Sequence, residues 1–437
     1  MKRIHFVGIK GVAMTALAVW YKEAGFAVSG SDIDEEFPSD EVLSKAGISV
    51  SGFSSKNITN INPGLVIFTG AHGGRENEEV VEAMAIGIPT LPHGKALGRI
   101  MEGKKQISVA GSHGKTTTSA MIATILFHAG INPSWAIGCG EIRGLGLPGH
   151  YGKGNIFVAE ADEYVTDPGH DLTPRFMWQH PDILVITNID YDHPDVYASL
   201  ADVHAAFEKF QRQSKVTITG NDYEVTHVRF GRDRTFFSLS QNGIFLYDFT
   251  LKVPGRHNAQ NAGAAAIAAK ELGLSWGQIA DGLLVFGGTK RRFDLVGEEG
   301  GVKVFDDYAH HPNEIKATLA AARDWYPNQR ILAVFQPHTY SRTKALLSEF
   351  SRAFGNASEV ILTDIYASAR EHDTLGISGK TLVEETAKQK NNVYFAPDYK
   401  AVKKMLTSHK RPGDVIIFMG AGSIYTWSKK LLNNENN

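Results

Sequence analysis

The sequence predicts an α/β protein made of successive modules, each built on a largely parallel sheet. Three observations carry that expectation. Short apolar runs bounded by glycine, proline or polar residues alternate with longer helix-like stretches, the pattern of strand–helix–strand units. At 437 residues the chain exceeds what one hydrophobic core organises, so two or three domains are expected. Hydrophobic residues at 43% and charged residues at 21% are the proportions of a globular chain, so each module can bury a core.

In the first module, residues 3–9 (RIHFVGI) read as a buried strand and GVAMTALAVWYKEAG, from Gly11, as an apolar-faced helix ending at Gly25. FAVSGSD at 26–32, GLVIFTG at 64–70 and GIPTLP at 87–92 add strands. The pattern pauses at the polar joint Glu102-Gly103-Lys104-Lys105, which sets a first domain at 1–103. The second, 104–288, opens with KQISVAGSHGKTTTSAMIATILFHAG, a strand running through a glycine loop into a helix that starts at or just after Lys115. NIFVAEAD (155–162) and PDILVITNID (181–190) are further strands, and HNAQNAGAAAIAAKELG (257–273) is a helix. The third, 289–437, begins near Thr289-Lys290-Arg291-Arg292. Its strands are VKVFDDYA, RILAVFQP, EVILTDIY and DVIIFMGAG, separated by helices such as NEIKATLAAARDWY. The strands end in polar or charged residues, and in open α/β sheets those carboxyl ends line the ligand crevice. The terminal NNENN reads as frayed.

Charge and cysteine usage narrow the function classes. A net charge of −2 gives no general attraction to nucleic acid or to an anionic membrane, so neither is expected as a partner. The single cysteine, Cys139, rules out an internal disulfide framework and suits a reducing compartment. MKRIHFVGI lacks the features of a secretory signal, and no run approaches eighteen apolar residues. A cytoplasmic location is the expectation.

The strongest chemical signal is Gly111-Ser112-His113-Gly114-Lys115-Thr116-Thr117-Thr118. It is a phosphate-loop pattern with its first glycine displaced, since G-x-x-x-x-G-K-[ST] would start at Val109. In a strand–loop–helix context the loop amides and helix N-terminus present donors to anionic oxygens. Lys115 reaches the outer phosphates and the Thr116 hydroxyl can hold magnesium. Acids follow at a strand end, Glu160-Ala161-Asp162-Glu163. Magnesium takes one or two carboxylates, and Glu160 is the choice here. His193 stands just past another strand end, where a lone histidine is more often a loop hydrogen bonder than a ligand.

The turn Gly8-Ile9-Lys10-Gly11-Val12-Ala13 approaches a dinucleotide fingerprint, but Lys10 replaces the middle glycine and would obstruct a pyrophosphate. Asp32 ends the second strand, where an acid can bind a ribose hydroxyl. Nucleotide or nucleotide-sugar binding fits this turn better than hydride transfer. RRF (291–293), DDYAHHP (306–312, with His310 and His311) and FQPHTYSRT (335–343) suit anionic substrates, since arginine grips carboxylate or phosphate with two bonds. Each could also be a structural ion-pair partner.

Taken together, GSHGKTTT, EADE, NIDYDH, HNAQNA, RRF, DDYAHHPNEI, FQPH, DIYA and GDVIIFMGAGSI resemble the Mur ligases, the ATP-dependent amide-forming enzymes of bacterial peptidoglycan assembly, in the right order over essentially the whole chain. The resemblance implies a Rossmann-like N-terminal domain for a UDP-sugar, a central P-loop-type ATPase domain and a C-terminal Rossmann-like domain. It implies ATP and Mg2+ at two sites, one at Thr116 and one at Glu160 and His193. The γ-phosphoryl group would pass to a substrate carboxylate, and an amine would then attack the acyl phosphate. His257, Asn258 and Asn261 resemble adenine-side contacts, Arg292 and Asp307 the C-terminal contacts to ATP, and His338 and Arg342 the amino-acid site. UDP-N-acetylmuramate, near Gly8, Lys10, Gly11 and Asp32, and L-alanine are the implied substrates of a monomer or homodimer.

Three features depart from the pattern. Lys10 and Ala13 stand where the family shows glycines. Thr339 stands where the alanine-adding branch shows arginine, removing one cation from a carboxylate clamp. The segment from EADEYVTDPGHD to NIDYDHPDVY resembles instead the branch that attaches an L-Ala-γ-D-Glu-meso-diaminopimelate tripeptide to the same sugar. That alternative stays open, as do a non-catalytic nucleotide-binding protein and a nicotinamide-dependent oxidoreductase.

Overall fold

The computed structural model describes residues 2–231, 233–367, 371 and 373–433, so the terminal NNENN lies outside the described residues from 434 onward. The chain divides into two compact units. One comprises Met1–His227, Phe237–Leu251 and Ala259–Thr289, and the other Val228–Phe236, Lys252–Asn258 and Lys290–Asn437.

The first unit holds two sheets. β1 (Arg3–Val7), β2 (Ala27–Ser31), β3 (Ser49–Ser51), β4 (Leu65–Phe68) and β5 (Thr90–Pro92) pair in the order β3-β2-β1-β4-β5, all parallel. β6 (Lys105–Ala110), β7 (Ser134–Ala136), β8 (Gly149–His150), β9 (Ile156–Glu160), β12 (Ile183–Ile186) and β13 (Val216–Thr219) pair in the order β13-β12-β6-β9-β7-β8, parallel except for β7 with β8. The central strands β1 and β6 are buried along all but their first residue, as expected of parallel sheets covered on both faces. β10 (Val165–Asp167) and β11 (Asp171–Pro174) form an antiparallel hairpin.

The polar joint at 102–105 separates the two sheets but not their cores. One buried cluster takes in Ile4, Phe6, Leu17 and Trp20 from the first sheet's side and Ala136, Phe157 and Ala159 from the second's. The Trp20 ring meets Tyr151 at 5.3 Å and Phe157 at 6.1 Å. The helix His93–Met101 lies so close to the segment after β11 that a Cβ on Gly98 would stand 2.2 Å from the Trp178 carbonyl oxygen. Lys95 pairs with Asp171 at 3.0 Å, and its ammonium lies 4.3 Å from the Trp178 ring.

His93 is part of this seam. Its Nε2 lies 3.2 Å from the Ala13 carbonyl oxygen, and its Nδ1 has no partner among the described residues. Burial, with Arg175 nearby, pushes its pKa down to about 4. The unfolded chain therefore takes up a proton between about pH 6.5 and 4 that the folded chain refuses, so stability falls as pH drops through that window, by about 3 kcal/mol in all. In His93→Gln the slope of unfolding free energy with pH should flatten there. Urea titrations at pH 7 and 4.5 read it, and an unchanged slope would assign the effect elsewhere.

The second unit is centred on β17 (Asp294–Glu299), β18 (Val302–Asp307), β19 (Ile331–Phe335), β20 (Glu359–Leu362), β21 (Val393–Phe395) and β22 (Val415–Met419), in the order β17-β18-β22-β19-β20-β21. It is parallel except for β17 with β18. β14 (Glu224–Gly231), β15 (Arg234–Gln241) and β16 (Ile244–Leu251) make a further three-stranded sheet, which the sequence reading missed. β14 has no fully buried position, so the alternation that signals a half-buried strand is weak there.

Candidate active site

In the first unit, β6 ends at Ala110 and the helix Lys115–His128 begins where expected. The loop between them needs its glycines. Gly111 has φ +136°, and a Cβ there would sit 2.1 Å from Thr187 Oγ1; Gly114 has φ +82°, with Asn261 Oδ1 2.6 Å from where a Cβ would be. The segment after β12 braces the loop. His113 N–H donates to Asn188 Oδ1 at 2.9 Å, Asn188 Nδ2 donates to His113 O at 2.9 Å, and Ser112 Oγ donates to Asp190 O at 3.0 Å. Asn261, expected on the adenine side, thus packs against the phosphate loop.

Lys115 Nζ lies 2.9 and 3.2 Å from the two carboxylate oxygens of Glu163 and also donates to the Gly111 carbonyl. Burial pulls the lysine pKa down, but the charges of Glu163, Asp162 and Glu160 outweigh it and the net shift is upward. Burial likewise opposes ionisation of Asp162, yet Arg175 at 2.8 Å, with Lys115 and His193, holds its carboxyl at about 2. Glu160 Oε1 accepts from Gly138 N–H at 2.9 Å. His193, at φ +57°, has Nε2 3.9 Å from Glu163 Oε1 and its ring 4.9 Å from Tyr164. Glu163, which the sequence motifs leave without a role, stands within ion-pair reach of both Lys115 and His193.

A glycine cradle, a helix N-terminus and a buried lysine fit a polyphosphate. The fit for magnesium is narrower. Thr116 and Thr117 are buried at the helix start, and among the described residues no three acidic, histidine or cysteine side chains converge as a metal cage. A hydroxyl, carboxylates and one imidazole suit an ion that draws its remaining ligands from phosphate and water.

At the end of β1, Gly8 N–H and Ile9 N–H donate to Ser31 O at 2.9 and 3.1 Å, and Gly11 precedes the helix Val12–Glu23. Two expectations change. The Lys10 ammonium does not lie across the turn; it donates to Glu35 O at 2.6 Å and Ile33 O at 3.2 Å and pairs with Asp40 at 3.4 Å. Asp32 binds backbone, accepting from Lys10 N–H at 2.7 Å and Ile33 N–H at 2.8 Å. His72, which sequence reasoning passed over, puts its Nε2 3.5 Å from Asp32 Oδ1.

In the second unit, burial and the nearby Arg292 push His257 down to about 4, so its imidazole is neutral. Asn258 Nδ2 donates to Pro254 O at 2.7 Å. Arg291 and Phe293 both have left-handed backbones, φ +64° and +47°, and flank Arg292. Arg291 donates to Asp306 at 3.0 Å and to Gly420 O at 2.7 Å, with its guanidinium 4.9 Å from both the Tyr308 and Tyr425 rings. Arg292 meets Glu314 at 3.4 Å. Asp307 holds this turn, accepting from Phe293 N–H and Ala309 N–H at 2.7 Å each, and burial raises its pKa to about 6 against the pull of Arg292. That carboxylate fixes the backbone on either side of Arg292's turn.

His311 caps the helix Pro312–Trp325, its Nδ1 accepting from Asn313 N–H at 3.3 Å in a capping box with Glu314. His310 lies beside it, with its ring 6.5 Å from His338. His338 bridges to Tyr366, and the two rings stack at 5.8 Å. Thr339, at φ +69°, caps the helix Tyr340–Ala345, which carries the buried Arg342. Glu371, unmarked in the sequence, accepts from Tyr340 N–H at 2.7 Å, Ser341 N–H at 2.9 Å and Ser341 Oγ at 2.6 Å.

Comparison with known proteins adds three findings. Family profiles described as Mur ligase family, catalytic domain; Mur ligase middle domain; and Mur ligase, glutamate ligase domain match residues 3–105, 109–229 and 291–422. A UDP-N-acetylmuramate–L-alanine ligase of Desulfitobacterium hafniense is 37% identical over 456 residues, covering 98% of this chain and 99% of the relative. Among solved structures, the UDP-N-acetylmuramate–alanine ligase of Thermotoga maritima superposes with a TM-score of 0.84 at 29% identity, covering 99% of each chain. The UDP-N-acetylmuramate:L-alanyl-γ-D-glutamyl-meso-diaminopimelate ligase of Neisseria meningitides reaches 0.59 at 27% identity, covering 67% of this chain and 100% of that one.

Proposed function

The chain belongs to the Mur ligase family, and from that membership we propose that it joins L-alanine to UDP-N-acetylmuramate at the expense of ATP, in peptidoglycan precursor synthesis. The observation that carries the ATP half of this reading is the braced glycine loop that sets the buried Lys115 at a helix N-terminus. The amino-acid half rests on the relatives, whose printed names share that substrate pair.

The chemistry runs in two steps. A carboxylate is a poor acyl donor because its leaving group would be oxide. Its oxygen attacks the γ-phosphorus, ADP departs, and an acyl phosphate forms. The amine nitrogen then attacks the acyl carbon, loses a proton, and inorganic phosphate leaves as the tetrahedral intermediate collapses. Lys115 neutralises phosphate charge as it shifts toward the leaving ADP, which is how positioned cations accelerate phosphoryl transfer. Thr116, Glu160 and His193 would hold magnesium, which screens the phosphates and the carboxylate they meet. We assign Gly8, Gly11 and Asp32 to the UDP-sugar turn and His338 and Arg342 to the amino acid, with domain joints at 103/104 and 288/289. Among the described residues no helix is long and apolar enough to cross a membrane, and we assign the activity to the cytoplasm.

Phosphate release from Mg-ATP with UDP-N-acetylmuramate tests the proposal, with L-alanine, glycine, L-serine or the tripeptide added in parallel. Release with L-alanine at least about tenfold above the others is expected, a difference of about 1.4 kcal/mol in transition-state binding. Release mainly with the tripeptide would overturn the amino-acid assignment and make the 160–197 segment the better guide. ATP binding with no ADP formed in any mixture would make the chain a non-catalytic nucleotide binder.

A further inference from the structure

We propose that Glu163 is a positioning residue that holds Lys115 until a triphosphate displaces it, so that ATP binds in competition with an internal carboxylate. This rests on the reading of the 111–115 loop as the ATP site and goes beyond it, since the sequence motifs gave Glu163 no role.

The Lys115 ammonium has three donors. They are engaged within the protein: Gly111 O, the Glu163 carboxylate at 2.9 and 3.2 Å, and, more distantly, Ser112 O at 3.4 Å. A bound phosphate tolerates the carbonyl contacts, which are part of the loop. It does not tolerate Glu163, whose like charge would stand beside it in a poorly hydrated pocket.

Glu163 has little freedom to withdraw. It is only 2% exposed, and Tyr197 Oη donates to its main-chain oxygen at 2.6 Å. Arg175 is already paired with Asp162 at 2.8 Å. His193, whose Nε2 lies 3.9 Å from Glu163 Oε1, is the neighbour on the other side. The carboxylate therefore stands between Lys115 and His193, and a triphosphate that loads the loop takes the ammonium from it while the imidazole remains its neighbour.

A purely structural ion pair makes the opposite prediction for nucleotide affinity, which gives a clean test. Calorimetry without magnesium measures the Kd of ATP for the wild type, Glu163→Gln, Lys115→Ala and the double variant. If the latched state dominates the empty protein, removing the latch tightens binding by the inverse of the free fraction, about tenfold for a one-in-ten population. Glu163→Gln should therefore bind ATP about tenfold tighter and lower the KM for ATP. Removing Glu163 should tighten binding less in the Lys115→Ala background than in the wild type, because only the wild type has an ammonium to release. Should the glutamine variant not fold, Glu163→Asp, which retracts the charge by one carbon, should still bind at least about threefold tighter. Equal or weaker binding in the folded variant overturns the latch. Wild-type affinity in Lys115→Ala would instead overturn the loop assignment itself.

Discussion

Replacing Lys115 with alanine is expected to lower ligation at least a thousandfold, about 4 kcal/mol of transition-state stabilisation. The expectation follows from how little else in the loop can do the work. Gly111 and Gly114 contribute backbone, and Ser112 and His113 are tied to the 187–190 segment. Lys115 is the loop's cation at the helix start, and phosphoryl transfer depends on positioned positive charge. Glu163 would keep His193 at 3.9 Å, so its buried carboxylate retains a partner and the fold should survive. Circular dichroism and the melting profile check that point. Normal turnover by a folded Lys115→Ala would remove the loop from the active site.

The second large effect falls on stability. Arg291→Ala should cost the second unit about 3–5 kcal/mol, because it leaves the Asp306 carboxylate, 5% exposed, without the cation it now holds at 3.0 Å. Burial already raises the Asp306 pKa against the pull of Arg291, so this acid is costly to keep charged. The same arginine fixes a turn whose left-handed residues, 291 and 293, each cost of order 1–3 kcal/mol. Turnover should therefore fall with stability as Arg292 loses its placement. Arg291→Lys should not restore either, since an ammonium can neither fork between Asp306 and Gly420 nor stack between two tyrosines. Urea unfolding followed through Tyr308 and Tyr425 measures it, and a loss under about 1 kcal/mol would show that the turn is held elsewhere.

Much of the architecture was legible because the signals were local. Apolar runs such as ILAVF and VIIFM fall at β19 and β22, and the glycine loop falls between strand and helix as its spacing demands. What the sequence did not show depended on contacts distant along the chain. EADE offers three acids in four residues, and only the approach of the 188–193 segment decides which one meets His193. Lys10 occupies a glycine's place, yet its long side chain reaches the carbonyls of 33 and 35, a choice that a local reading of the turn does not contain. His311 in DDYAHHP is also a helix cap, a role that the Pro-Asn-Glu after it signals in the sequence. Thr339 has a similar explanation: its hydroxyl caps the next helix, work that arginine at this position would not do.

The core shared by the first two sheets bears on how the chain is made. The face carrying Ala16, Trp20 and Gly98 is complete when residue 101 emerges, but its partners arrive later, at Gly149, Tyr151, Phe157 and Trp178. At about 5–20 residues per second, that apolar face waits for several seconds at the ribosome before anything covers it. The nascent chain is thus most vulnerable to chaperone capture or aggregation at mid-synthesis, and a ribosomal pause before residue 178 would lengthen that window. For the same reason residues 1–103 are not an exchangeable cassette: a replacement would have to bring a surface shaped to the Trp178 carbonyl and the Phe157 ring.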